Sequence, residues 1–239
     1  MLLSKDTRFE AAADIVDVYE TIYTQHTGVW VNQGRSPAFI AYFAGLVRRH
    51  APRRLLEIGC GEGVLLAALQ AGERHGTELA VQALERARSH NSDAQLCIAL
   101  GEELPFADAY FDVIASVGVM EHFIDDRAAT REIYRALEPG GRYLVLIHVH
   151  LTAWQSLQQK IAEYVFPRPR PLRLMRWLAG KIFRPIHQPV QNGYSVASAQ
   201  RCLEECGFVV DELIHKANTP AAPLIGPHVV IYVCRKPAP

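Results

Sequence analysis

Residues 55–63, LLEIGCGEG, decide the fold class of this 239-residue chain. A short apolar run ends in an acid, and glycines then follow at positions 59, 61 and 63. A strand, a glycine-rich turn and a helix in this order begin a doubly wound α/β sheet. Because glycine lets the backbone turn sharply and lets a ligand approach with no Cβ in the way, three glycines in five positions predict a ligand-binding turn.

From position 53 onward the sequence alternates strand and helix patterns, which is typical of an α/β fold with a mostly parallel sheet. Five strands are predicted in RRLLEI, RHGTEL, AQLCIAL, FDVIASV and RYLVLIHVH. The helix after the first strand is expected to reach Gly72, and the helix DDRAATREIYRALEPGG to end at Pro139 and two glycines. A later helix, with Ser195 as N-cap and Gly207 beyond its end, precedes two strands, FVVDELI and HVVIYVCRK. The loop between those two strands has no room for a crossover helix, so they are predicted to be antiparallel neighbours.

Two segments lie outside this alternation. Residues 1–50 are rich in aromatic residues and predict an N-terminal helical cap. Residues 151–193 carry seven Lys or Arg against one acid, a charge of +6, so the remainder of the neutral chain carries −6. We expect one domain over residues 1–239: the cap, a core at 53–149, a basic helical insertion at 151–193, and a C-terminal helix with a β-hairpin at 195–236.

Composition predicts a globular protein without a global bias toward nucleic acid or membranes. The chain is 49% hydrophobic and 21% charged, with a formal net charge of zero. The N-terminal MLLSKDTRFE lacks the apolar core of a signal peptide, and no run approaches the roughly 18 apolar residues that span a bilayer. The five cysteines are odd in number and scattered, as expected for reduced thiols of a cytoplasmic protein. Cys202 and Cys206, one helical turn apart, are interpreted as small core residues.

The acids around the glycine turn indicate what kind of ligand it binds. A dinucleotide fingerprint reads G-x-G-x-x-G and places a pyrophosphate at the helix N-terminus, whereas the spacing here is G-x-G-x-G. Glu57 stands two residues before the first glycine and would repel a phosphate. Glu78 closes the second strand, where an acid can accept hydrogen bonds from both hydroxyls of a ribose. The expected ligand therefore has a ribose and a cationic part but no pyrophosphate.

These features together resemble the class I S-adenosylmethionine-dependent methyltransferases, and most closely their small-molecule type 11 group. The resemblance rests on E-x-G-x-G-x-G, on the acid that ends the second strand, on GEELPFADAYFDVIASVGVMEHF and on EPGGRYLV. It covers residues 53–149 and, more loosely, 195–236, and it implies a seven-stranded sheet of order 3-2-1-4-5-7-6 with an antiparallel last strand. S-adenosyl-L-methionine is the implied cofactor, and in-line methyl transfer the implied reaction.

The resemblance also implies roles for individual residues at the cofactor. Those bordering the methionine half would be Glu57, Gly59, Cys60 and Gly61. Those around the ribose, the adenine and the sulfonium would be Glu78, Leu79, Gly101, Glu102 and Val117. The family usually has an Asp two residues before the position of Glu102, where it binds the adenine amino group, and this chain has Leu100 there. That amino group is thus expected to meet either Glu102 or backbone alone.

Histidines are the candidate bases for an acceptor that must lose a proton. His122 follows the fourth strand; His148 and His150 lie two apart at the end of the fifth and share one face. Each of the three has a purely structural alternative, and no metal is expected because His-x-His alone is a weak signal. Arg35 is predicted to pair with the cofactor carboxylate, or else to be a surface arginine.

The basic insertion leaves three interpretations open. A helix in PLRLMRWLAGKIF could simply pack its apolar stripe on the domain and expose a basic face. It could be a lid that selects an acidic or lipid-like acceptor, or residues 170–184 could contact a membrane peripherally. Nucleic acid is not expected, since the catalytic part of the chain is net acidic.

The sequence therefore predicts a cytoplasmic methyltransferase that acts on a small molecule, at oxygen first, with nitrogen and carbon open. One rival is a non-catalytic S-adenosylmethionine-binding regulator or scaffold, for which Leu100 is the only hint. A second rival, a nicotinamide-dependent oxidoreductase, is opposed by Glu57 and by the glycine spacing.

Overall fold

The computed structural model describes residues 5–25, 36–149, 192–215 and 229–238. In these residues a seven-stranded sheet has the order β3-β2-β1-β4-β5-β7-β6. Its strands are β1 (Arg54–Ile58), β2 (Glu73–Glu78), β3 (Gln95–Ile98), β4 (Phe111–Val117), β5 (Leu137–His148), β6 (Val209–His215) and β7 (Val229–Arg235). The pairs among β1 to β5 are parallel, and β7 is antiparallel to both β5 and β6. The predicted fold class and strand order are confirmed.

Helices precede the sheet and cover both of its faces. Within the described ranges they are α1 (Lys5–Gln25), α2 (Pro37–Arg48), α3 (Val64–Ala68), α4 (Val81–His90), α5 (Asp126–Ala136) and α6 (Val196–Glu205), with a single 3₁₀ turn at Met120–His122. Three helices begin at side chains that accept a backbone N–H of the first turn: Ser36, Asp125 and Ser195. The predicted N-cap at Ser195 is therefore confirmed.

The fifth strand is covered on both faces, as its near-continuous apolar run predicts. Tyr143, Val145 and Ile147 are fully buried in one hydrophobic cluster, with residues of α5 and α6. Leu144 and Leu146 point to the opposite cluster, which contains residues of α2 and α3. The sheet therefore has a core on each side, and its carboxyl edge is left for the loops.

Two helices end earlier than the sequence predicts. Helix α5 stops at Ala136 rather than at Pro139, because Leu137 is already extended, fully buried and paired with Phe111 of β4. A proline also disfavours the helical conformation of the residue before it, here Glu138. Helix α3 stops at Ala68, well before Gly72, since the next residue, Leu69, adopts an extended conformation.

The N-terminal helix packs on the start of α4. The buried Tyr19 and Tyr23 of α1 cluster with Ala80 and Ala83. Glu20 accepts hydrogen bonds from the backbone N–H of Gln82, at 3.3 Å for each carboxylate oxygen, and so caps the amino end of α4. The predicted helical character of the N-terminal segment is confirmed over the described helices α1 and α2, while the division into cap, core and insertion stays a prediction.

Several sequence expectations concern burial or membrane contact. Cys202 and Cys206 are buried, as predicted for core residues, and all five cysteines are free thiols. Among the residues that the structure describes, no helix combines the length and apolarity needed to cross a bilayer. The expected helix and basic surface at 170–184 lie outside the described residues.

Gly63 provides a test of the packing at the start of α3. Its φ is +74°, and a Cβ there would lie 2.4 Å from Asn91 Nδ2 and 2.9 Å from Ala87 Cβ. We expect Gly63→Ala to lower the free energy of unfolding by about 2 kcal/mol or more, from backbone strain and overpacking. Urea denaturation would measure this. The matched control, Gly45→Ala in α2, has no atom within 4 Å of the new Cβ and should stabilise the protein slightly. Equal effects of the two substitutions would contradict the packing described here.

His75 of β2 is a buried imidazole inside an aromatic cluster. Its side chain is only 3% exposed, and the rings of Phe106, Tyr110 and Phe111 meet it edge-on at centroid distances of 5.1–5.6 Å. Its Nε2 lies 3.7 Å from Glu73 Oε2. Burial outweighs that carboxylate and lowers the pKa of His75 from its ordinary value.

The lowered pKa of His75 predicts a pH-dependent stability. Between the folded-state pKa and the unfolded value of about 6.5, the unfolded chain binds more protons than the folded one. The free energy of unfolding should therefore fall as the pH drops below about 7 and level off below the folded-state pKa. His75→Phe should flatten this dependence in denaturation series at pH 5 and 7, whereas substitution of the exposed His90 by Gln should preserve it. A wild-type slope in His75→Phe would refute the assignment.

Candidate functional site

The glycine turn and the loop after β4 touch at the carboxyl edge of the sheet. Gly59 and Gly61 have φ values of +65° and +55°, in the left-handed region that favours glycine. A Cβ on Gly59 would lie 2.5 Å from Val119 Cγ2, so any other residue would displace one of the two segments. The neighbouring strands β1 and β4, paired at Ile58 and Ser116, bring these segments together.

Glu78 ties the second strand to this turn. Its Oε2 accepts the N–H of Gly61 at 2.9 Å, and its Oε1 accepts those of Leu79 at 2.7 Å and Ala80 at 3.3 Å. The residue is 8% exposed, so the carboxylate stands at the edge of the site with its orientation fixed. Carboxylate oxygens accept more than one hydrogen bond each, and this arrangement is therefore compatible with a bound pair of ribose hydroxyls.

The other residues predicted near the methionine half lie deeper. Glu57 is fully buried on β1, level with Gly76 and Ala115 of the flanking strands. Cys60 is also fully buried, and its N–H donates to the carbonyl of Thr77 at 2.9 Å. Both positions support the turn from beneath, and direct contact of either side chain with a cofactor stays a prediction.

The predicted adenine contacts have clear structural roles. A Cβ on Gly101 would lie 2.4 Å from Phe123 Cε1, so this glycine makes room for the Phe123 ring. Glu102 Oε1 accepts the N–H groups of Ile124 at 2.7 Å and Asp125 at 3.1 Å, just before α5. Burial raises the pKa of Glu102, and the backbone hydrogen bonds oppose that shift. This carboxylate orders a loop, and its contact with adenine stays a prediction.

Helix α1 brings Tyr19, which the sequence showed only as one aromatic among several, to the same region. Leu79, predicted to pack on adenine, lies with Ile124 against the cluster that contains Tyr19. Burial, followed by the charges of Glu78 and Glu121, raises the pKa of the Tyr19 hydroxyl. The phenol therefore stays protonated near neutral pH and lies within the field of both carboxylates.

The ends of β4 and β5 bring together a second group that the motif did not predict. Gly118, directly after the buried Val117, donates its N–H to the carbonyl of Leu146 at 3.0 Å. His148 Nδ1 is hydrogen-bonded to Glu121 Oε1. The side chain of His148 is 60% exposed and that of Glu121 only 3%. Glu121 was overlooked, although it stands beside His122 in VMEHF, because nothing local showed which strand it would face.

Of the remaining predicted residues, the structure describes His122 but not His150 or Arg35. His122 closes the 3₁₀ turn, half-buried, with its N–H donating to the carbonyl of Val119 at 2.8 Å. His150 and Arg35 lie outside the described residues. Within the described part of the chain, no three His, Cys, Asp or Glu side chains are grouped so that they could hold a metal ion.

The described residues on either side of positions 150–191 make contacts at this edge of the sheet. Val149 forms a parallel bridge with Tyr194, whose hydroxyl is 2.5 Å from Asp126 Oδ2 and donates to it. Asn192 donates its backbone N–H to the carbonyl of Glu121 at 2.6 Å and its side-chain Nδ2–H to that of Phe123 at 2.8 Å. The chain therefore leaves and re-enters the described structure beside His148 and Glu121.

The fold is a Rossmann-like, class I methyltransferase fold. Its marks are the strand order, the antiparallel strand β7 and the glycine turn held by Glu78. A crystal structure of an S-adenosylmethionine-dependent methyltransferase from Mesorhizobium loti superposes with a TM-score of 0.55. It is 18% identical, and the match covers 80% of this chain and 96% of that one. At this identity the likeness concerns the fold alone.

Sequence comparison shows which proteins this part of the chain resembles. Residues 56–145 match the family model described as "Methyltransferase domain". "Ubiquinone biosynthesis O-methyltransferase" of Idiomarina loihiensis is 30% identical over 122 residues, 46% of this chain and 50% of that protein. "Probable tRNA methyltransferase 9B" of Bos taurus is 30% identical over 134 residues, 55% of this chain and 28% of that protein. The matches thus span half the length, or less, of these curated relatives.

Residues 56–145 therefore match a methyltransferase domain, and the fold is that of the class I S-adenosylmethionine-dependent methyltransferases, a class whose cofactor is S-adenosyl-L-methionine. The described residues fit that cofactor. Gly59 and Gly61 give the turn its left-handed backbone, and Glu78 offers ribose hydroxyls an oriented carboxylate. The acid beneath the turn, Glu57, suits a ligand with a positive charge better than a phosphate.

Glu78→Gln tests the cofactor site. An amide in place of the carboxylate loses the charge and cannot accept all of the N–H bonds, so binding of S-adenosylhomocysteine should weaken by about tenfold or more. Isothermal titration calorimetry would measure the affinity, and circular dichroism would confirm that the variant folds. Glu73→Gln, at the other end of β2, is the matched control and should bind like the wild type. Unchanged affinity in Glu78→Gln would remove this residue from the cofactor site.

Proposed function

We propose that this protein transfers a methyl group from S-adenosyl-L-methionine to an oxygen of a small-molecule acceptor. The observation that carries the proposal is the exposed imidazole of His148 at the carboxyl end of β5. That end is adjacent to β4, whose following loop touches the glycine turn. A group able to accept a proton therefore stands close to the site proposed for the cofactor.

The protein's contribution is mainly to bind and to position. When bound, S-adenosyl-L-methionine supplies a methyl group already activated on a positively charged sulfur. The turn at Gly59 and Gly61 would admit the amino-acid part, Glu78 would hold the ribose, and Leu79 would pack on the base. Orienting two reactants in this way can contribute roughly 7–11 kcal/mol to lowering a barrier.

An oxygen acceptor also needs to lose a proton, which favours a base at this edge. His148 is the first candidate, and His122 in the adjoining 3₁₀ turn is the second. The relative from Idiomarina loihiensis is named for O-methylation, which supports oxygen. The bovine relative is named for tRNA, but the chain outside residues 151–193 carries a formal charge of −6, which favours a small molecule over a polyanion.

The acceptor side is expected to involve residues 151–193. Support comes from the flanking residues: Val149 directly follows His148 and bridges to Tyr194, and Asn192 donates a hydrogen bond to the carbonyl of Glu121. We propose that the segment covers an acidic or lipid-like acceptor, with peripheral membrane contact through 170–184 as the alternative. We also propose that residues 1–239 form a single domain and that the protein is cytoplasmic.

A non-catalytic protein that binds S-adenosylmethionine is the second candidate. It is favoured by Leu100, which stands where the family usually has an Asp, and by Glu102, which orders the loop before α5. Such a protein would bind the cofactor and its product without turnover on any acceptor.

One series of measurements separates these functions. Calorimetry with S-adenosylhomocysteine and with NAD should show binding of the first only. Release of S-adenosylhomocysteine from S-adenosylmethionine, measured with hydroxylated aromatic compounds, carboxylic acids and amines, should then show turnover that is greatest with oxygen acceptors. We expect His148→Asn to lower kcat by about 100-fold or more, within the usual contribution of a general base. Binding without turnover across the panel would favour the non-catalytic candidate, and binding of NAD alone would overturn both.

A further inference from the structure

Beyond the proposed reaction, on which this inference rests, we propose that Glu121 is a positioning residue that fixes His148 in the tautomer able to accept the proton. Glu121 ends up beside His148 although 27 positions separate them in the sequence. The two belong to different segments, the 3₁₀ turn after β4 and the end of β5. Their pairing is therefore a product of the fold.

Glu121 and His148 differ strongly in burial, and this difference shows which partner faces solvent. Glu121 is 3% exposed at its side chain and His148 is 60% exposed, so the carboxylate lies beneath the ring and the ring extends outward. Glu121 Oε2 is buried and has no hydrogen-bond partner among the described residues, which leaves His148 as the group that Glu121 engages through Oε1. A buried carboxylate with few other partners binds an N–H donor strongly.

The hydrogen bond selects one tautomer. An ionised carboxylate only accepts hydrogen bonds, so the proton between the two residues belongs to His148 Nδ1. A neutral imidazole carries one N–H, and its other nitrogen, Nε2, then holds the lone pair. Nδ1 faces Glu121 and the side chain as a whole is 60% exposed, so the proposal assigns the role of proton acceptor to Nε2. The proton of the acceptor hydroxyl would pass to this nitrogen and then to solvent.

The surrounding backbone is shaped to hold the pair. A Cβ on Gly118 would lie 3.2 Å from His148 Cε1 and 3.8 Å from Glu121 Oε1, so the glycine leaves space for the ring to reach the carboxylate. The backbone at residue 121 is fixed by the N–H of Asn192, which donates to its carbonyl at 2.6 Å. The orientation of His148 is thus set by the loop that carries Gly118 and Glu121, and Asn192 in turn holds the backbone of that loop.

The first test reads the tautomer directly in the wild-type protein. The method is long-range ¹H–¹⁵N NMR on protein with ¹⁵N-labelled histidine, which correlates the carbon-bound ring protons with the ring nitrogens. The signal that is missing from His148→Asn belongs to His148, and it should show His148 protonated at Nδ1. In Glu121→Gln the side-chain amide can donate to Nδ1, and the signal should change to the Nε2–H form. A wild-type His148 protonated at Nε2 would overturn the proposal, whatever the enzyme does.

The second test is kinetic. Glu121→Gln should lower kcat by about 10- to 100-fold with little change in KM, since a misdirected tautomer affects proton transfer rather than binding. The double variant Glu121→Gln/His148→Asn should be no slower than His148→Asn alone, because Glu121 acts through His148. Glu205→Gln, which removes a surface acid paired with Arg127, is the matched control and should keep wild-type kcat. Additive losses in the double variant would contradict the proposal.

Binding of S-adenosylhomocysteine separates this inference from the proposed function. All variants should bind it within about threefold of the wild type if Glu121 acts on the base alone. Loss of binding in Glu121→Gln would show a structural role and refute the positioning one. Absence of turnover in the wild type would reject the proposed reaction, and with it the catalytic role of the pair, while the tautomer measurement would still decide whether Glu121 orients His148.

Discussion

The carboxylate of Glu78 accepts the backbone N–H groups of Gly61, Leu79 and Ala80, and the arrangement of the carboxyl edge depends on these bonds. Parallel neighbours β1 and β2 end level with each other, with Ile58 opposite Thr77, so the acid at the end of one strand reaches the turn after the other. Without an acceptor there, three N–H groups at a partly buried edge would lose their partner, at about 1–3 kcal/mol for each unsatisfied group. The same carboxylate that is proposed to bind a ribose therefore also holds the glycine turn in place.

The loops at this edge can approach each other closely because three positions are glycines. Gly59 touches Val119, Gly101 touches Phe123, and Gly118 leaves room for His148, each at a distance that a Cβ would prevent or crowd. These contacts link the ends of β1, β3, β4 and β5 into one continuous surface. A glycine here is a condition for two segments to meet, and this explains why the edge combines residues far apart in the chain.

The sequence and the family it resembles were sufficient to predict the sheet, while the cofactor contacts of the glycine motif stay predictions. The strands and the turn with its acid follow from local patterns, and the strand order follows from the resemblance to the methyltransferases. The predicted end of α5 was wrong. Pro139 and the two glycines after it are a typical helix stop, but Leu137 is buried and paired with β4, and these contacts favour an extended chain from that residue onward. The local sequence pattern does not reveal that Leu137 pairs with a distant strand.

The pairing of Glu121 with His148 could not be read from the sequence, because each partner has an ordinary local explanation and only the register of β4 and β5 brings them together. Tyr19 is a similar case, since its place depends on how α1 packs against α4. The outcome for His150 and Arg35 is different in kind: both lie outside the described residues, and their roles stay predictions.

The half-buried Glu102 and the buried Glu121 both form hydrogen bonds at the loop between β4 and α5, and their different partners explain their different roles. Glu102 is satisfied by backbone N–H groups of Ile124 and Asp125, which need no mobile group and leave the acid as part of the scaffold. Glu121 instead engages a side chain, and that side chain is mostly exposed. The raised pKa of Tyr19 keeps its phenol protonated and removes it as a base at neutral pH. Among these described neighbours the imidazole of His148 is the group that can both reach solvent and accept a proton, and the buried acid behind it determines at which nitrogen.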